Sequence, residues 1–432
     1  MCFFRGLRVK RIKKIIIIGL LGLFAPLLRA EMDIEITEGI ESALPIAIVP
    51  FAQQGGPVSI SSVVSHDLGG SGYFRPMTEN SMPSRPTTPE AIQFGEWKSA
   101  GQNYIVVGQA VPAGGQYNVQ FQLFDVNTGN QVLGYRMTST AQDLRRTAHH
   151  ISDLIFEKLI GKKGVFSGRI AYITSSGQGA SRTHRLQVAD ADGFNPQTIA
   201  TSTEPLMSPS WSPDGRKMAY VSFERKTAAI YVQTLATGQR VKVAEFPGIN
   251  GAPSWSPDGS KLALTLSKDG SPDIYVLNLI NNSLIKVTNN SAIDTEPTWS
   301  PDGGTIVFTS DRGGKPQLYR VSSQGGAEKR LTFSGSYNAR ASFSPDGKNI
   351  AMVHGNGNDY RIAVLDLASG SINVLTSGPT DESPSFAPNG DMILYASQRG
   401  NGGYLAAVSL DGKMQQKLVF DSNAVREPAW AP

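Results

Sequence analysis

A short phrase, an aromatic residue followed by Ser-Pro-Asp-Gly or a close variant, recurs along this 432-residue chain. Its aromatic residues are Trp211, Trp255, Trp299, Phe343, Phe386 and Trp430. The spacings between them are 44, 44, 44, 43 and 44 residues. A near-constant period of this length, with several short strands in each unit, is typical of β-propeller blades. The repeat therefore predicts an all-β, six-bladed propeller over residues 164–432.

Each repeat unit reads as four short strands separated by turns. In the third unit, KLALTLS, DIYVLNL and LIKVTN follow the turn and are rich in strand-forming residues. Ser-Pro-Asp-Gly suits a type I turn, because proline presets φ at the second position and Asp and Gly suit the third and fourth. The aromatics are predicted to pack as wedges between blades, and the aspartates to form turns rather than a catalytic site. These aspartates are Asp214, Asp258, Asp302 and Asp346.

The two ends of the repeat region complement each other. Before Trp211 the chain supplies three strand-like segments, GRIAYIT, HRLQVAD and PQTIATS, without a first strand. At the other end, EPAW is a first strand with nothing after it. We expect the C-terminal strand to pair beside residues 169–174, which would complete one blade and leave no open sheet edge in the ring.

Residues 1–30 have the layout of a signal peptide. A basic head precedes the apolar run from Ile15 to Phe24, and Ala30 offers a small residue for cleavage. The alternative is an uncleaved anchor, but a membrane span needs about 20 apolar residues and this run is shorter. We therefore predict an exported chain without stable membrane insertion.

Export would change the charge of the chain. The leader holds seven of the 40 Lys and Arg residues and none of the 36 Asp and Glu residues, so the formal net charge falls from +4 to −3. The exported chain therefore gives no sign of the basic surface that nucleic-acid binding needs. The single cysteine, Cys2, leaves with the leader, so neither a disulfide nor a cysteine-ligated metal is expected.

Residues 31–163 read as a small α/β domain. PIAIVPF, YFRPM, NYIVVGQAVPA, YNVQFQLFDV and QVLGYRMTS are strand-like, whereas SISSVVSHDLGGSG and PEAIQFGEWKSAG are helix-like. A last helix follows, with Ser139 and Gln142 at the spacing of a capping box and Gly161 as a C-terminal cap. One face of this helix is apolar and carries Leu144, Ala148, Ile151, Leu154, Ile155 and Leu159.

Motifs for catalysis or metal binding are missing from the sequence. It has no G-x-S-x-G, H-E-x-x-H, P-loop or strand-coupled G-x-G-x-x-G. His149 and His150 are adjacent on a helix and cannot face one ligand, which favours surface or packing roles. Residues 190–193, DADG, suit a hairpin turn better than a calcium loop, because the later glutamate is missing. His184 and His354 fall in different blades, so no metal or other cofactor is predicted.

The residues that enter each innermost strand are predicted to line one mouth of the propeller channel. Two positions precede the recurring proline in each unit; in the fifth unit Ala341 replaces that proline. The pairs are Met207-Ser208, Gly251-Ala252, Thr295-Glu296, Ala339-Arg340, Glu382-Ser383 and Arg426-Glu427. With Asp294 and Asp381, the acidic residues of this set are expected to converge with Arg340 and Arg426. Capping of strand ends is the alternative, but propellers usually bind through such mouths, which favours a binding role.

Several phrases are more specific than a generic propeller repeat: FEKLIGKKGVFSGRIAYI, PLMSPSWSPDGRKMAYVSFE, NGAPSWSPDGSKLALTLSK and DTEPTWSPDG. Together with the leader and the α/β domain, they resemble the TolB family, the periplasmic propellers of the Tol–Pal system in Gram-negative bacteria. The resemblance covers essentially the whole chain. It implies a non-catalytic periplasmic adaptor that supports outer-membrane constriction at division and envelope integrity. The implied partners are the peptidoglycan-associated lipoprotein Pal and the protein TolA, and other outer-membrane proteins or lipoproteins are compatible with this role.

The resemblance also implies a Pal-binding surface at the propeller mouth. Two departures weaken the transfer: Ile249 stands where familiar members have a histidine that contacts Pal, and the fifth unit lacks its proline. The residues that match the family's motifs are Met207, Ala252, Thr295, Glu296 and Glu382.

TolA would bind the start of the exported chain, from Glu31 to about Ser42. In this segment Met32, Ile34 and Ile36 alternate with charged residues, a pattern that suits addition to the edge of a partner's sheet. The predicted contact residues are Glu31, Met32, Asp33, Ile34, Glu35, Ile36, Thr37 and Glu38.

Two other functions stay open from the sequence. A propeller enzyme would need either an appended hydrolase domain or clustered propeller histidines, and neither is seen. A propeller that binds a glycan or another small ligand in its central channel would show saturable binding that survives Glu296→Arg.

Overall fold

The computed structural model describes residues 32–35, 43–399, 402–418 and 424–432. A first strand, β1 (Met32–Glu35), precedes an α/β domain, and six sheets make up the rest of the described chain. The predicted fold, an α/β domain followed by a six-bladed propeller, is confirmed. The leader predicted at residues 1–30, with Ala30, lies outside the described residues, as do Glu31, Ile36, Thr37 and Glu38.

The α/β domain is a six-stranded mixed sheet with helices on both faces. Its strands are β2 (Leu44–Ile48), β3 (Ala52–Gln53), β4 (Phe74–Pro76), β5 (Tyr104–Ala113), β6 (Gln116–Asp125) and β7 (Gln131–Ser139). Its helices are α1 (Ile60–Gly70), α2 (Phe94–Ser99) and α3 (Leu144–Ile160), with 3-10 turns at Glu79–Ser81 and Pro89–Ala91. The sheet order is β4-β2-β5-β6-β7, in which β2 is parallel to both neighbours, and β3 also pairs with β5.

The alternation along β2 explains why helices cover both faces of the sheet. Ile46 and Ile48 join the apolar cluster under α1 and α3, whereas Ala47 and Val49 join the cluster around Trp97 of α2. These three strand residues and Val49, which directly follows the strand, are at most 3% exposed. A strand buried on both faces reads as a continuous apolar run, as PIAIV does.

The last helix of the domain is confirmed in its core-facing side but not in its N-terminal cap. Its predicted apolar face packs on the domain core, and Gly161 ends it in the left-handed conformation with φ 80°. The predicted capping box was wrong, because the helix begins after Asp143 and Ser139 is the buried last residue of β7. The Ser139 hydroxyl donates to the carbonyl of Thr140 instead.

The propeller begins with β8 (Arg169–Ser176), β9 (Thr183–Asp190) and β10 (Gln197–Ser202), with a 3-10 turn at Gly179–Ser181. The second blade is β11 (Leu206–Trp211), β12 (Lys217–Ser222), β13 (Ala229–Thr234) and β14 (Arg240–Ala244). The third is β15 (Asn250–Trp255), β16 (Lys261–Leu266), β17 (Asp273–Asn278) and β18 (Leu284–Lys286). The fourth is β19 (Asp294–Trp299), β20 (Thr305–Ser310), β21 (Gln317–Ser322) and β22 (Lys329–Arg330).

The fifth blade is β23 (Tyr337–Phe343), β24 (Asn349–Asn356), β25 (Asp359–Asp366) and β26 (Ile372–Val374). The sixth is β27 (Asp381–Phe386), β28 (Met392–Arg399), β29 (Gly402–Ser409) and β30 (Gln415–Leu418). The final strand, β31 (Ala424–Trp430), pairs with β8 and completes the first blade, so the predicted closure of the ring is confirmed. Backbone hydrogen bonds extend beyond the strand, because the amide of Ala431 donates to the carbonyl of Arg169 at 2.8 Å.

The recurring turn has one geometry along the chain, and the third blade illustrates it. The Ser256 hydroxyl donates to Asp258 at 2.6 Å and accepts from the amide of Lys261 at 2.9 Å. Gly259, with φ 71°, donates its amide to the carbonyl of Ser256 at 2.9 Å. The interpretation of these aspartates as turn-forming residues is confirmed, and each carboxylate accepts hydrogen bonds inside its own turn.

The tryptophans are wedges between blades, as predicted. In three of them the indole Nε1 donates to a backbone carbonyl of the preceding first strand: Trp211 to Ala429 at 3.0 Å, Trp255 to Ser210 at 3.1 Å, and Trp299 to Ser254 at 3.1 Å. The same contact thus recurs at three successive boundaries and joins neighbouring blades.

The turns make the propeller sensitive to acid. Hydrogen bonds from Ser256 and Ser260 lower the pKa of Asp258 to about 2, and the matching serines lower the pKa of Asp214, Asp302 and Asp346. A carboxyl group whose pKa is lower in the folded state stabilises the fold above its unfolded pKa, and this stability is lost as the pH falls through the folded pKa. We expect the melting temperature to fall between about pH 4 and about pH 2. Ser256→Ala should shrink the drop measured by calorimetry, whereas Ser283→Ala, in a turn without such an aspartate, should leave it unchanged.

The α/β domain lies against the first and sixth blades, at the end of the ring where the first strands finish. Lys162 Nζ lies 2.6 Å from Asp391 Oδ1, and Asn389 donates to the carbonyl of Lys163 at 3.1 Å. Arg145 of α3 contacts Asp192 in the turn between β9 and β10. The opposite end, where the first strands begin, is therefore free of the α/β domain in these contacts.

Candidate binding surface at the propeller mouth

Six residues at one repeated position form a ring around the opening of the channel. Each lies in the first strand of its blade, at a break in the pairing register with the second strand. All six have positive φ, between 45° and 56°, and they account for six of the nine described non-glycine residues in that region. They are Ser208, Ala252, Glu296, Arg340, Ser383 and Glu427.

The left-handed backbone conformation of this ring is energetically unfavourable, and it occurs in all six blades. A non-glycine residue held in such a conformation costs on the order of 1–3 kcal/mol and persists only where the surrounding structure imposes it. A bulge of this kind re-aims a side chain at the end of a strand. In this propeller all six side chains, with the residue that follows each, line one opening of about 170 Å³. We therefore interpret the ring as a surface whose side-chain arrangement is imposed by the fold.

Charged side chains cross the opening and connect the blades. Glu296 Oε1 lies 2.9 Å from Arg340 Nε, and Glu296 Oε2 accepts from Thr309 at 3.0 Å and from the amide of Arg340 at 3.2 Å. Arg340 also donates to Ser383, and Glu427 accepts from the amide of Ser208. These contacts hold the charges at fixed positions before any partner arrives.

Burial affects the pKa of two charged residues at the opening, Glu427 and Arg340. It raises the pKa of Glu427, which is 7% exposed, and the charge of Arg340 only partly offsets this. Burial also acts to lower the pKa of Arg340, but the carboxylates of Glu296, Glu427 and Glu382 outweigh it and raise the pKa. Arg340 therefore stays charged beside these three carboxylates.

The remaining predicted residues fall into two groups. Met207, Thr295, Glu382 and Arg426 each precede a ring residue and are half-buried, so the structure brings them beside the opening. Ile249 is 49% exposed and directly precedes β15. That these residues contact a partner stays a prediction.

Asp294 and Asp381 require a correction, because the structure does not bring them to the opening. Asp294 is fully buried and accepts two hydrogen bonds from Arg312, both at 2.9 Å. Asp381 is 2% exposed and accepts from the Thr376 hydroxyl at 2.5 Å. Both carboxylates hold the loop beside their own strand, so they position the mouth without being available to a partner.

Exposed apolar residues surround the same end of the ring, and sequence reasoning missed two of them. Ile293 directly precedes β19, as Ile249 precedes β15, and is 51% exposed. Phe333, in the loop before β23, is 74% exposed. Exposed large apolar side chains that gather at one face indicate a protein-interaction surface. The signal available in the sequence was the shared repeat position of Ile249 and Ile293.

The predicted TolA-binding segment occupies a sheet edge within the chain itself. The backbone of β1 pairs antiparallel with β30, with Met32 opposite Leu418, Asp33 opposite Lys417, Ile34 opposite Gln416 and Glu35 opposite Gln415. It thereby becomes the fifth strand of the sixth blade.

The propeller histidines hold local structure. His184 bonds to Ser175 at 2.8 Å and His354 to Asn338 at 2.8 Å, within separate blades. His149 is 2% exposed and therefore lies inside the fold, and residues 190–193 form the predicted hairpin turn. Within residues 32–35, 43–399, 402–418 and 424–432, no helix is long and apolar enough to cross a membrane.

The fold and the mouth define a two-domain propeller protein whose candidate binding surface lies at the end of the ring away from its α/β domain. The family models for the TolB amino-terminal domain and the TolB beta propeller domain match residues 32–132 and 156–432. The chain belongs to the TolB family.

Relatives and a solved structure agree with this assignment. The Tol-Pal system protein TolB of Methylococcus capsulatus is 64% identical over 404 residues, which are 93% of this chain and 95% of the relative. Its counterpart in Nitrosococcus oceani is 60% identical over 425 residues, which are 96% and 98% of the two chains. The crystal structure of TolB from Acinetobacter baumannii has a TM-score of 0.86 and 44% identity, and the match covers 93% of this chain and all of that one. The chain is a Tol–Pal system protein.

Proposed function

We propose that this chain is a non-catalytic periplasmic adaptor of the Tol–Pal system, exported by a cleaved signal peptide. Through the propeller mouth it binds Pal, and through the start of the exported chain it binds TolA. In this role it supports outer-membrane constriction at division and envelope integrity. The observation that carries the proposal is the ring of six left-handed residues at the mouth, with its fixed charges and exposed apolar surroundings.

The mouth has the properties of a protein-binding surface. Its charges are already hydrogen-bonded to each other, so little ordering is needed when a partner arrives, and preorganised groups lose less free energy on binding. Ile249, Ile293 and Phe333 supply apolar side chains around the polar ring. A small-ligand pocket is more enclosed and mostly apolar, which favours a protein partner over a glycan.

The pairing of β1 supports a role in binding a second partner. A segment that adds as an antiparallel strand to β30 has the backbone pattern needed to add to the sheet edge of TolA. One segment cannot pair with both edges through the same backbone groups. Binding of TolA through the backbone groups that pair with β30 would compete with β30, and our hypothesis is that Pal binding shifts this competition through the propeller.

The test is calorimetric titration of the exported chain with the soluble domain of Pal from the same genome. We expect tight binding that weakens at least about 30-fold in Glu296→Arg, since disrupting a charge pair at an interface costs about 2–5 kcal/mol. Thr295→Arg, which places a bulky charge beside the same pair, should also weaken binding. Ile280→Arg is the matched control, because Ile280 is 81% exposed in the turn between β17 and β18, at the other end of the ring. Circular dichroism and thermal melting verify that each variant is folded.

Other outcomes would redirect the assignment. Failure of the wild-type chain to bind Pal would overturn the proposal. Saturable binding of a soluble peptidoglycan fragment that survives Glu296→Arg would favour the glycan alternative. A TolA affinity that is the same with and without saturating Pal would overturn the coupling hypothesis while leaving both binding sites in place.

A further inference from the structure

Three ionisable side chains from three separate elements meet where the α/β domain touches the propeller. Asp67 belongs to α1, His149 to α3, and Asp192 to the turn between β9 and β10. Their side chains are 3%, 2% and 7% exposed. The histidine thus lies buried between a carboxylate of its own domain and a carboxylate of the propeller.

The contacts of His149 determine where its protons lie. Its Nδ1 is 2.8 Å from Asp67 Oδ2, which also accepts from Ser152 at 2.6 Å, so Nδ1 carries a proton and donates it to Asp67. Its Nε2 has no hydrogen-bond partner and lies 3.6 Å from Asp192 Oδ2. In a neutral ring the lone pair of Nε2 would therefore face a carboxylate. A second proton on Nε2 turns this repulsion into an ion pair across the domain boundary.

The charges around His149 favour this second proton. On the propeller side, Asp190 stands near Asp192, and burial raises the pKa of Asp190. On α3, Arg145 contacts Asp192 and stacks 4.0 Å from the Phe194 ring, and Arg146 acts on Asp190. Asp67, Asp190 and Asp192 thus carry three negative charges against two arginines. Protonated His149 balances this local set.

The remaining charged neighbour is Asp153 of α3, which acts on Asp67. Asp153 is engaged with the linker between the domains, where it accepts from the amide of Phe166 at 2.8 Å and from Ser167. Burial raises its pKa despite these hydrogen bonds. Because it adds a further negative charge near Asp67, it also favours the protonated histidine.

The pKa directions agree with this geometry. Burial alone would lower the pKa of His149, but Asp67 and then Asp192 outweigh it, and the pKa is raised. Burial acts to raise the pKa of Asp192, but His149 and Arg145 outweigh it, and that pKa is lowered. Both shifts stabilise the charged pair.

A metal ion fits the same three side chains less well. Their ligand atoms lie within 4.8 Å of one another, and they form a candidate set among the residues that the structure describes. However, Nδ1 already donates to Asp67, which leaves only Nε2 and Asp192, whereas a zinc site needs three or four protein ligands. The guanidinium of Arg145 on Asp192 also repels a cation.

We propose that a proton on His149 clamps the α/β domain to the propeller, and that the clamp opens as the pH rises. This inference does not depend on the proposed partners. A histidine whose pKa is raised in the docked state favours docking at low pH, and this contribution is lost as the pH rises through the docked pKa. Two other ion pairs join the domains, Arg145 with Asp192 and Lys162 with Asp391, and the hydrogen bond to Asp391 raises the pKa of Lys162 further above neutral.

The clamp also bears on the first strand. Gly70, at the end of α1, lies so close to the Gln416 side chain that a Cβ there would be 2.5 Å from its Nε2. Gln416 belongs to β30 and pairs with Ile34 of β1. Release of the α/β domain therefore removes one neighbour of the strand on which β1 lies.

The experiment measures the distance between the domains as a function of pH. Spin labels on Arg136→Cys and Gln239→Cys report docking in the full exported chain, with Cys2→Ser in any chain that retains its leader; both labelled positions are exposed. From about pH 6 to about pH 9 we expect the docked population to fall. The docking equilibrium constant should change about tenfold for each unit by which the pKa of His149 differs between the docked and the undocked state. In His149→Gln the pH dependence should disappear.

Matched controls separate the clamp from other histidines. His150→Gln, at the exposed neighbour on the same helix, should keep the wild-type pH dependence. Asp192→Asn should weaken docking at low pH while the melting of each domain persists. Histidine NMR provides a second measurement, since the His149 ring should titrate above an ordinary histidine.

Three results would overturn the proposal. The first is a distance distribution that does not change with pH in the wild-type chain, and the second is unchanged pH dependence in His149→Gln. The third is a pH response that disappears with a chelator and returns with zinc, which would assign the cluster to a metal ion instead.

Discussion

Deleting residues 424–432 is expected to abolish the cooperative unfolding transition of the propeller. These residues supply β31, the strand that closes the first blade against β8. Val425 is fully buried, and the carbonyl of Ala429 accepts from the indole of Trp211 at 3.0 Å. Removing the strand exposes the edge of β8 and leaves Trp211 without its partner. We expect a loss above about 5 kcal/mol, which is the lower end of the stability of a whole domain. Urea unfolding followed by circular dichroism measures it.

Two comparisons make this test specific. Deleting Pro432 alone, which is exposed beyond the strand, should leave the transition unchanged. A synthetic peptide of residues 424–432 should restore the transition when added to the truncated chain, because it can pair with the backbone groups of β8 that the deletion leaves unpaired. A truncated chain that unfolds at the wild-type urea concentration would show that the closing strand is dispensable.

Replacing Trp255 by alanine should cost about 3–5 kcal/mol, the usual range for removing a large aromatic side chain from a core. Trp255 is 8% exposed and belongs to an apolar cluster that contains Val221 and Ile230 of the second blade and Leu262 of the third. The substitution leaves a cavity between two blades and removes the hydrogen bond from Nε1 to the carbonyl of Ser210. Calorimetric melting and urea unfolding should both show the loss.

Trp255→Phe separates packing from the hydrogen bond. The fifth and sixth blades use Phe343 and Phe386 at this position, so a phenyl ring fits the wedge without an indole donor. We expect a smaller loss, of about 1 kcal/mol for the missing hydrogen bond plus a share for reduced packing. Equal losses for Trp255→Phe and Trp255→Ala would contradict the wedge interpretation.

The propeller architecture was predictable because one repeat period in the sequence defines all six blades. The spacing of the aromatic residues gives the blade length, and the unpaired strands at the two ends predict the closure by β31. The left-handed conformation of Glu296 and Arg340 was not predictable, because it depends on a register break between two strands. For the same reason, the sequence placed the right repeat position at the mouth without showing which side chains face the opening.

Two acidic residues show where reasoning along one strand fails. Asp294 and Glu296 belong to the same strand and look alike in the sequence, yet one is fully buried against Arg312 and the other lines the mouth. Asp294 binds Arg312 in the loop after β20, whereas Glu296, in its left-handed backbone conformation, binds Arg340 across the opening. His149 illustrates the same limit at longer range, because its partners Asp67 and Asp192 are distant in the sequence and lie in different domains.

The pairing of β31 with β8 also has a consequence for the time course of folding. The two strands belong to one sheet but are separated by nearly the whole propeller, so the ring cannot close until residues 424–432 have been synthesised. Contacts between such distant segments form slowly, because a long loop must be closed before they contribute. Until then β8 presents an unpaired edge that can pair with other chains. Aggregation during production should therefore depend on how quickly the end of the chain becomes available.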